Sequence, residues 1–144
     1  MTTSTKSTPV EIILPEGTTG HVIREQFRVA SAYKAGRRIE MAGQTGHRPD
    51  LSLPESIEDE VAQAFANVTA VLDAGDASWD DVFNIRTYHV IPAGGDSIDS
   101  DSIGAVTATF ATLMPDHCPV WTAVGVPALA FPGQRFEIEV TANA

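Results

Sequence analysis

The sequence predicts an α+β fold in which one mixed β-sheet carries two helices on one of its faces. Strand-like alternation of apolar and polar residues occurs near the start, in the middle and at the end of the chain. Between these segments, two stretches repeat apolar residues at helical spacings of three and four. Since both helices are expected on one face, the second face of the sheet must be covered in another way.

Five strands are predicted from the alternation, at residues 10–14, 38–44, 82–90, 120–126 and 134–141. A turn at Pro132-Gly133 is expected to join the last two. In the final strand, Phe136 and Ile138 alternate with Glu137 and Glu139, so one face is apolar and the other carries two carboxylates. Residues 18–35 show no clear period and are predicted to form a loop or an irregular strand.

Two helices are predicted from stripes of apolar residues. The first follows Pro54 and ends at Gly75, and acidic residues in its first turn, Glu60 among them, complement the positive end of the helix dipole. The second begins at Ser100 or Asp101. The two stripes are Ile57, Val61, Phe65, Val68 and Leu72, and Ile103, Val106, Phe110 and Leu113.

Length and composition indicate one domain spanning residues 1–144, with a flexible Ser/Thr-rich segment at residues 1–8. The net charge of −10, with nine scattered Lys and Arg residues, argues against nucleic acid and anionic membranes as partners. The only cysteine, Cys118, excludes an internal disulfide and a Cys/His zinc cluster. The chain has no apolar targeting or membrane segment, so a cytoplasmic location is expected.

The uncovered face of the predicted sheet mixes polar and aromatic side chains. Such a face is more typical of a subunit interface with clefts than of a solvated surface, so a closed homo-oligomer is predicted, with its sheets packed around a shared axis. The residues expected on this face are Glu40, Ala42, Gln44, Asn84, Arg86, Tyr88, Trp121, Ala123, Gly125, Glu137 and Glu139.

The sequence contains four spaced motifs: Arg-Arg-Ile-Glu-Met-Ala-Gly-Gln at 37–44, Ala-Phe-Ala-Asn-Val-Thr-Ala-Val-Leu-Asp-Ala-Gly at 64–75, Trp-Asp-Asp-Val at 79–82, and the closing segment 119–142. Together these motifs resemble the Rid family of reactive intermediate deaminases. The resemblance covers about residues 27–142. It implies a chorismate-mutase-like fold, a homotrimer, and three clefts between subunits that bind small carboxylated molecules. The deaminating members hydrolyse imines and enamines, and the resemblance implies no cofactor.

The resemblance also places the family's pocket residues on this chain. The arginine that grips the substrate carboxylate falls on Trp121. A tyrosine, a serine and an asparagine of the family fall on Val29, Ala42 and Thr107, whereas the Gly43-Gln44 pair and the glutamate at Glu137 are retained. The resemblance therefore implies a divergent subgroup rather than the familiar deaminase unchanged.

Candidate site residues keep two interpretations each. Glu137 is either a general acid/base or a member of an interface ion pair. Arg86 either binds an anionic ligand or neutralises the carboxylates of Glu40, Glu137 or Glu139. Trp121 either stacks on a ligand or fills a vacated pocket.

The remaining candidates are weaker. Tyr88 and Gln44 could donate hydrogen bonds to a ligand or pack in a trimer, and Thr107 and Ala123 are further expected lining residues. No spacing of His, Asp or Glu predicts a metal site, and His47 lies in a predicted loop without an assignable role. The sequence thus predicts an enzyme acting on a reactive imine or enamine through Glu137, or alternatively a non-catalytic trimer that binds a small ligand.

Overall fold

The computed structural model describes residues 9–144. The predicted flexibility of residues 1–8 lies outside this range. The helices are α1 (Gly20–Phe27), α2 (Ile57–Ala74) and α3 (Ser100–Leu113), with a short 3-10 helix at Trp79–Asp81. The strands are β1 (Val10–Ile13), β2 (Ala32–Ala35), β3 (Arg38–Met41), β4 (Gln44–Thr45), β5 (Val82–Val90), β6 (Val120–Val126) and β7 (Phe136–Asn143).

All strands belong to one sheet in the order β1-β2-β3-β7-β5-β6, and β4 continues the β3 side of β7. Every pairing is antiparallel except β5 with β6, which confirms the single mixed sheet. Parallel strands need a long crossover, which α3 supplies between β5 and β6. The last two strands are not neighbours, because β5 lies between them.

The sequence pattern missed two elements in residues 18–35, α1 and β2, so residues 9–144 contain three α-helices rather than two. Helix α1 spans only eight residues and buries none of them, so its apolar side chains Val22, Ile23 and Phe27 are too few to show a helical period. It ends at Arg28, whose φ of 62° is the left-handed conformation that closes helices. Strand β2 is only four residues long, which is too short for alternation to stand out.

The core lies between the sheet and helices α2 and α3. The α2 stripe is confirmed, with Val61, Phe65, Val68 and Leu72 all buried. Phe65 stacks on Trp79 at a centroid distance of 5.4 Å and on Phe136 of β7 at 6.4 Å. In the α3 stripe only Val106 is fully buried, so α3 covers the sheet less completely than α2.

Alternation in β5 is interrupted by a β-bulge. The register with β7 shifts between Val82 and Asn84, and Phe83 is left 39% exposed. Val82 is consequently buried on the same side as Ile85, whereas strict alternation along residues 82–90 would group Val82 with Asn84 and Phe83 with Ile85. That assignment was wrong because strict alternation cannot show an inserted residue.

Candidate active site

A cavity of about 590 Å³ lies between α1, strand β4 and the loop at residues 130–132. Apolar groups form most of its wall, including the Val22, Ile23 and Leu51 side chains. His47 and Glu137 are the only ionisable side chains among the described residues that line it. A largely apolar cavity with two ionisable groups is the usual form of a small-molecule site.

Glu137 enters this cavity from β7, on the side of the strand opposite the buried Phe136 and Ile138. A Cβ atom at Gly43 would lie 1.9 Å from Glu137 Oε1 and 2.7 Å from its Cδ, so only glycine leaves room for the carboxyl group there. Gln134 Nε2 donates to Glu137 Oε2 over 3.2 Å. Burial raises the pKa of Glu137, with a smaller raising effect from Glu139 and an opposing one from the Gln134 hydrogen bond.

The strand end that carries Glu137 is fixed by a buried carboxylate on α2. Glu60 is fully buried, and its Oε2 accepts hydrogen bonds from the backbone N–H groups of Arg135 (2.8 Å) and Phe136 (3.0 Å). Its Oε1 accepts from Arg135 Nε at 2.9 Å. From the sequence, Glu60 was expected only to complement the dipole of its helix. Nothing in the sequence pattern connects it with residues 75 positions away.

His47 is the second ionisable group of the cavity, and sequence reasoning found no role for it. Its Nδ1 lies 2.7 Å from Thr45 Oγ1, and its ring meets the Phe131 ring edge-on at 5.4 Å. Burial lowers the pKa of His47, although Glu60 acts in the opposite direction. No signal in the sequence marks this residue, since it follows a two-residue strand and belongs to no periodic segment.

Gln44 also lines the cavity, and its Nε2 donates to the carbonyl of Ala42 at 3.0 Å. The predicted strand 38–44 is interrupted before it. Glu40 pairs with Thr141 but Gln44 pairs with Ile138, so β4 resumes with a register changed by one residue. This break places the Gly43 backbone against the Glu137 carboxyl.

Tyr88 and Arg86 lie on the open face of β5, next to the carboxylates of β7. Tyr88 pairs with Glu137 and its hydroxyl donates to Glu139 Oε1, which raises the pKa of Tyr88. Arg86 is exposed and pairs in register with Glu139, but it forms no salt bridge with any residue of the described chain. Neither side chain lines the cavity.

Trp121 and Ala123 lie on the helix side of the sheet, so their predicted placement beside Glu137 was wrong. Trp121 pairs with Ile85, its Nε1 donates to Thr87 Oγ1 at 2.9 Å, and its ring packs edge-on against Phe110 of α3 at 5.1 Å. The register could not be read from the sequence, because Val-Trp-Thr-Ala-Val-Gly-Val is apolar on both of its faces.

Thr107 is exposed on α3, and its hydroxyl bonds to carbonyls of its own helix, at Ile103 (3.2 Å) and Gly104 (3.1 Å). Of the predicted site residues, the structure thus brings Glu137 and Gln44 to one cavity. It leaves Thr107, Trp121 and Ala123 away from that cavity, and it places Arg86 and Tyr88 on the open face beside it.

Residues 9–144 contain neither a metal-binding cluster nor a membrane-spanning helix. No group of three His, Cys, Asp or Glu side chains in this range could hold a metal ion. No helix within the same range is long and apolar enough to cross a membrane.

Comparison with known proteins places this fold in a family. The pattern of the family described as Endoribonuclease L-PSP matches residues 24–144. The RutC family protein YjgH of Escherichia coli (strain K12) is 31% identical over 123 residues, covering 85% of this chain and 88% of that protein.

Solved structures of proteins from this family have the same fold as this chain. A structure of the protein YjgH superimposes with a TM-score of 0.77 at 28% identity and covers 92% of this chain and 95% of its own. RidA from an Antarctic Psychrobacter species has a TM-score of 0.77 at 23% identity, with 93% and 99% covered. From its sequence match and its fold, the chain belongs to the Endoribonuclease L-PSP family, which includes the Rid and YjgF proteins.

Proposed function

We propose that this protein hydrolyses a reactive imine or enamine to a carbonyl compound and ammonia, with Glu137 as the proton-transfer group. The observation that carries the proposal is the carboxyl of Glu137, held against Gly43 in a largely apolar cavity. Burial shifts the Glu137 carboxyl toward its protonated form, in which it can donate a proton to an imine nitrogen.

The chemistry requires one group that gives and then takes protons. Glu137 protonates the imine nitrogen, and a base in the cavity takes a proton from water as the water oxygen forms a C–O bond with the imine carbon. In the resulting carbinolamine, the Glu137 carboxylate takes the hydroxyl proton and the protonated base gives its proton to the nitrogen. The C–N bond breaks with its electrons on nitrogen, which leaves ammonia and a C=O group.

The lining of the cavity favours imines with apolar substituents. No Lys or Arg from the described part of the chain lines it, so no cation there would pair with a substrate carboxylate. Phe131 contacts both Phe27 and His47 through edge-on ring contacts, at 5.9 Å and 5.4 Å, and forms an aromatic wall suited to an alkyl or aryl group.

We further propose that three copies assemble through the open face of the sheet, so that the cavity becomes part of a cleft between subunits. Apolar side chains support this. Ile12, Tyr33 and Val120 are 59%, 39% and 65% exposed, and strand register places them in one row across this face. Sedimentation of the purified protein tests the assembly, and a monomer at micromolar concentration would contradict it.

The reaction is tested with a matched pair of imines. An amine oxidase generates the imine of 3-methylbutylamine in situ, and an amino-acid oxidase generates the leucine imine, which differs by a carboxylate. Their decay is followed with and without this protein. We expect acceleration, greater for the imine without a carboxylate.

Two variants assign the activity to the cavity. Glu137→Gln should abolish the acceleration, and Glu58→Gln, which removes an exposed carboxylate in the first turn of α2 outside the cavity, should retain it. The pKa of Glu137 is raised in the folded state, so ionisation of this carboxyl lowers the free energy of unfolding as the pH rises above 4.5. The Glu137→Gln variant should therefore be at least as stable as the parent at pH 7. No acceleration of any imine would favour the alternative, a trimer that binds a small ligand without catalysis.

A further inference from the structure

The cavity holds a second ionisable side chain whose position relative to Glu137 is fixed by the sheet. Thr45 and Glu137 are direct partners in the β4–β7 pairing, so their Cβ atoms lie about 4.5–5.5 Å apart on the same side of the sheet. His47 Nδ1 lies 2.7 Å from Thr45 Oγ1. The imidazole is therefore separated from the Glu137 carboxyl by a single side chain, and both face one cavity.

The His47 ring is held in place from several directions. Asn67 Nδ2 on α2 donates to the carbonyls of Thr45 (2.8 Å) and His47 (3.0 Å), which fixes the backbone on both sides of Gly46. Phe131 packs edge-on against the ring. The contact with Thr45 occupies Nδ1, whereas Nε2 has no hydrogen-bond partner within residues 9–144. A ring fixed through one nitrogen presents the other to a ligand.

From this geometry we infer that His47 is a second catalytic residue of the Glu137 cavity, with Nε2 taking a proton from the attacking water. This inference rests on the proposed imine hydrolysis. In this arrangement Nδ1–H donates to Thr45 Oγ1, and Thr45 itself lines the cavity.

The two groups divide the proton transfers between them. As the water oxygen bonds to the imine carbon, its proton passes to His47 Nε2, and the imine nitrogen takes the proton of Glu137. When the carbinolamine collapses, the imidazolium protonates the departing nitrogen and the Glu137 carboxylate takes the hydroxyl proton. The C–N bond breaks, ammonia leaves, and both residues return to their starting forms.

The surroundings of the two groups favour these starting forms. Burial lowers the pKa of His47 and raises that of Glu137, so it shifts each group toward its neutral form. The other charged groups near His47 are Glu60 on α2, which favours the imidazolium, its partner Arg135, and the exposed Arg48.

Turnover of the 3-methylbutylamine imine tests the role of His47. His47→Gln should lower kcat by about 10²- to 10⁴-fold, the usual contribution of a general base, with KM little changed. The pH–rate profile of the parent should have two limbs, one from Glu137 and one from His47, and the variant should lose the limb that comes from His47. Thr45→Val, which keeps the side-chain shape but removes the hydroxyl, should give a smaller loss of kcat. His21→Gln, an exposed histidine on α1 outside the cavity lining, is the matched control. A His47→Gln variant with the parent's kcat would overturn the inference.

A second measurement does not depend on turnover. The ¹⁵N chemical shifts of the His47 ring report its tautomer, and the inference requires a proton on Nδ1 and none on Nε2 near pH 7. A proton on Nε2 overturns the role of His47 as a base even if imines are hydrolysed. Failure of the parent protein to hydrolyse any imine removes the proposed function instead, which is a different outcome from an inactive His47→Gln variant beside an active parent.

Discussion

Gly43→Ala is the substitution whose effect follows most directly from the geometry of the site. The added Cβ would meet Glu137 Oε1 at 1.9 Å, Cδ at 2.7 Å and Cγ at 3.0 Å, whereas ordinary contacts begin at 3.4 Å. The carboxyl must therefore move by about 1.5 Å, and a displacement of roughly 1 Å in an active site costs on the order of 10²-fold in rate. The described fold tolerates alanine here, because Gly43 does not have a positive φ and the obstructing atoms belong to a flexible side chain.

The assay is kcat/KM for imine decay together with thermal unfolding of the same preparations. Gly43→Ala is expected to lose about 100-fold in kcat/KM while remaining folded. Gly104→Ala is the matched control, since a Cβ at this exposed position of α3 meets nothing within 4 Å. It should keep full activity and gain about 0.5–1 kcal/mol of stability from the better helix former. A Gly43→Ala variant with the parent's kcat/KM would refute the position assigned to the Glu137 carboxyl in catalysis.

Three further predictions concern stability and are measured by urea unfolding. His89 is 1% exposed and burial lowers its pKa from 6.5 to about 4, so the unfolded chain binds the proton more readily. The free energy of unfolding should therefore be highest above pH 6.5 and decrease by about 3 kcal/mol as the pH falls to 4. If His89→Gln loses a similar amount over the same pH range, protonation of His89 is not the cause of the decrease. Glu60→Gln should lower the free energy of unfolding by about 1.5–3 kcal/mol, because it replaces a charged acceptor of three hydrogen bonds from Arg135 and Phe136. A loss below about 0.5 kcal/mol would show that these hydrogen bonds do not hold β7 in place. Trp121→Phe should cost about 1 kcal/mol by removing the hydrogen bond to Thr87, and an unchanged stability would contradict the placement of Trp121 under α3.

The elements that the sequence predicted well are those that bury one face against the core. Helix α2 shows its stripe because Val61, Phe65, Val68 and Leu72 all face the sheet. Strand β7 alternates because one of its faces is buried throughout and the other is not. In both elements, burial on one side only imposes the period that sequence reasoning detects.

The features that the sequence could not predict belong to elements without that one-sided burial, although strand β6 itself was predicted with its correct bounds. Helix α1 packs no residue into the core, and β6 is apolar on both faces, so neither its register nor the side of Trp121 could be read. The bulge at Phe83 changes the face of Val82 without changing composition.

The candidate site was predictable only in part. Glu137 was found because it lies on the polar face of an alternating strand and because the family resemblance points to it. Glu60 acts through hydrogen bonds to residues distant in the chain, which a local sequence pattern does not show. His47 lines the cavity from a loop, where no periodic pattern exists.

The most direct test of the central claim is the titration of the Glu137 carboxyl itself. With ¹³C-labelled glutamate, its resonance can be assigned by comparison with Glu137→Gln and followed from pH 3 to 9. A pKa clearly above the ordinary value of 4.5 is predicted, because the carboxyl is buried in the cavity beside Gly43. A pKa at or below 4.5 would mean that Glu137 is a solvated or ion-paired carboxylate, and it would contradict its role as the proton donor.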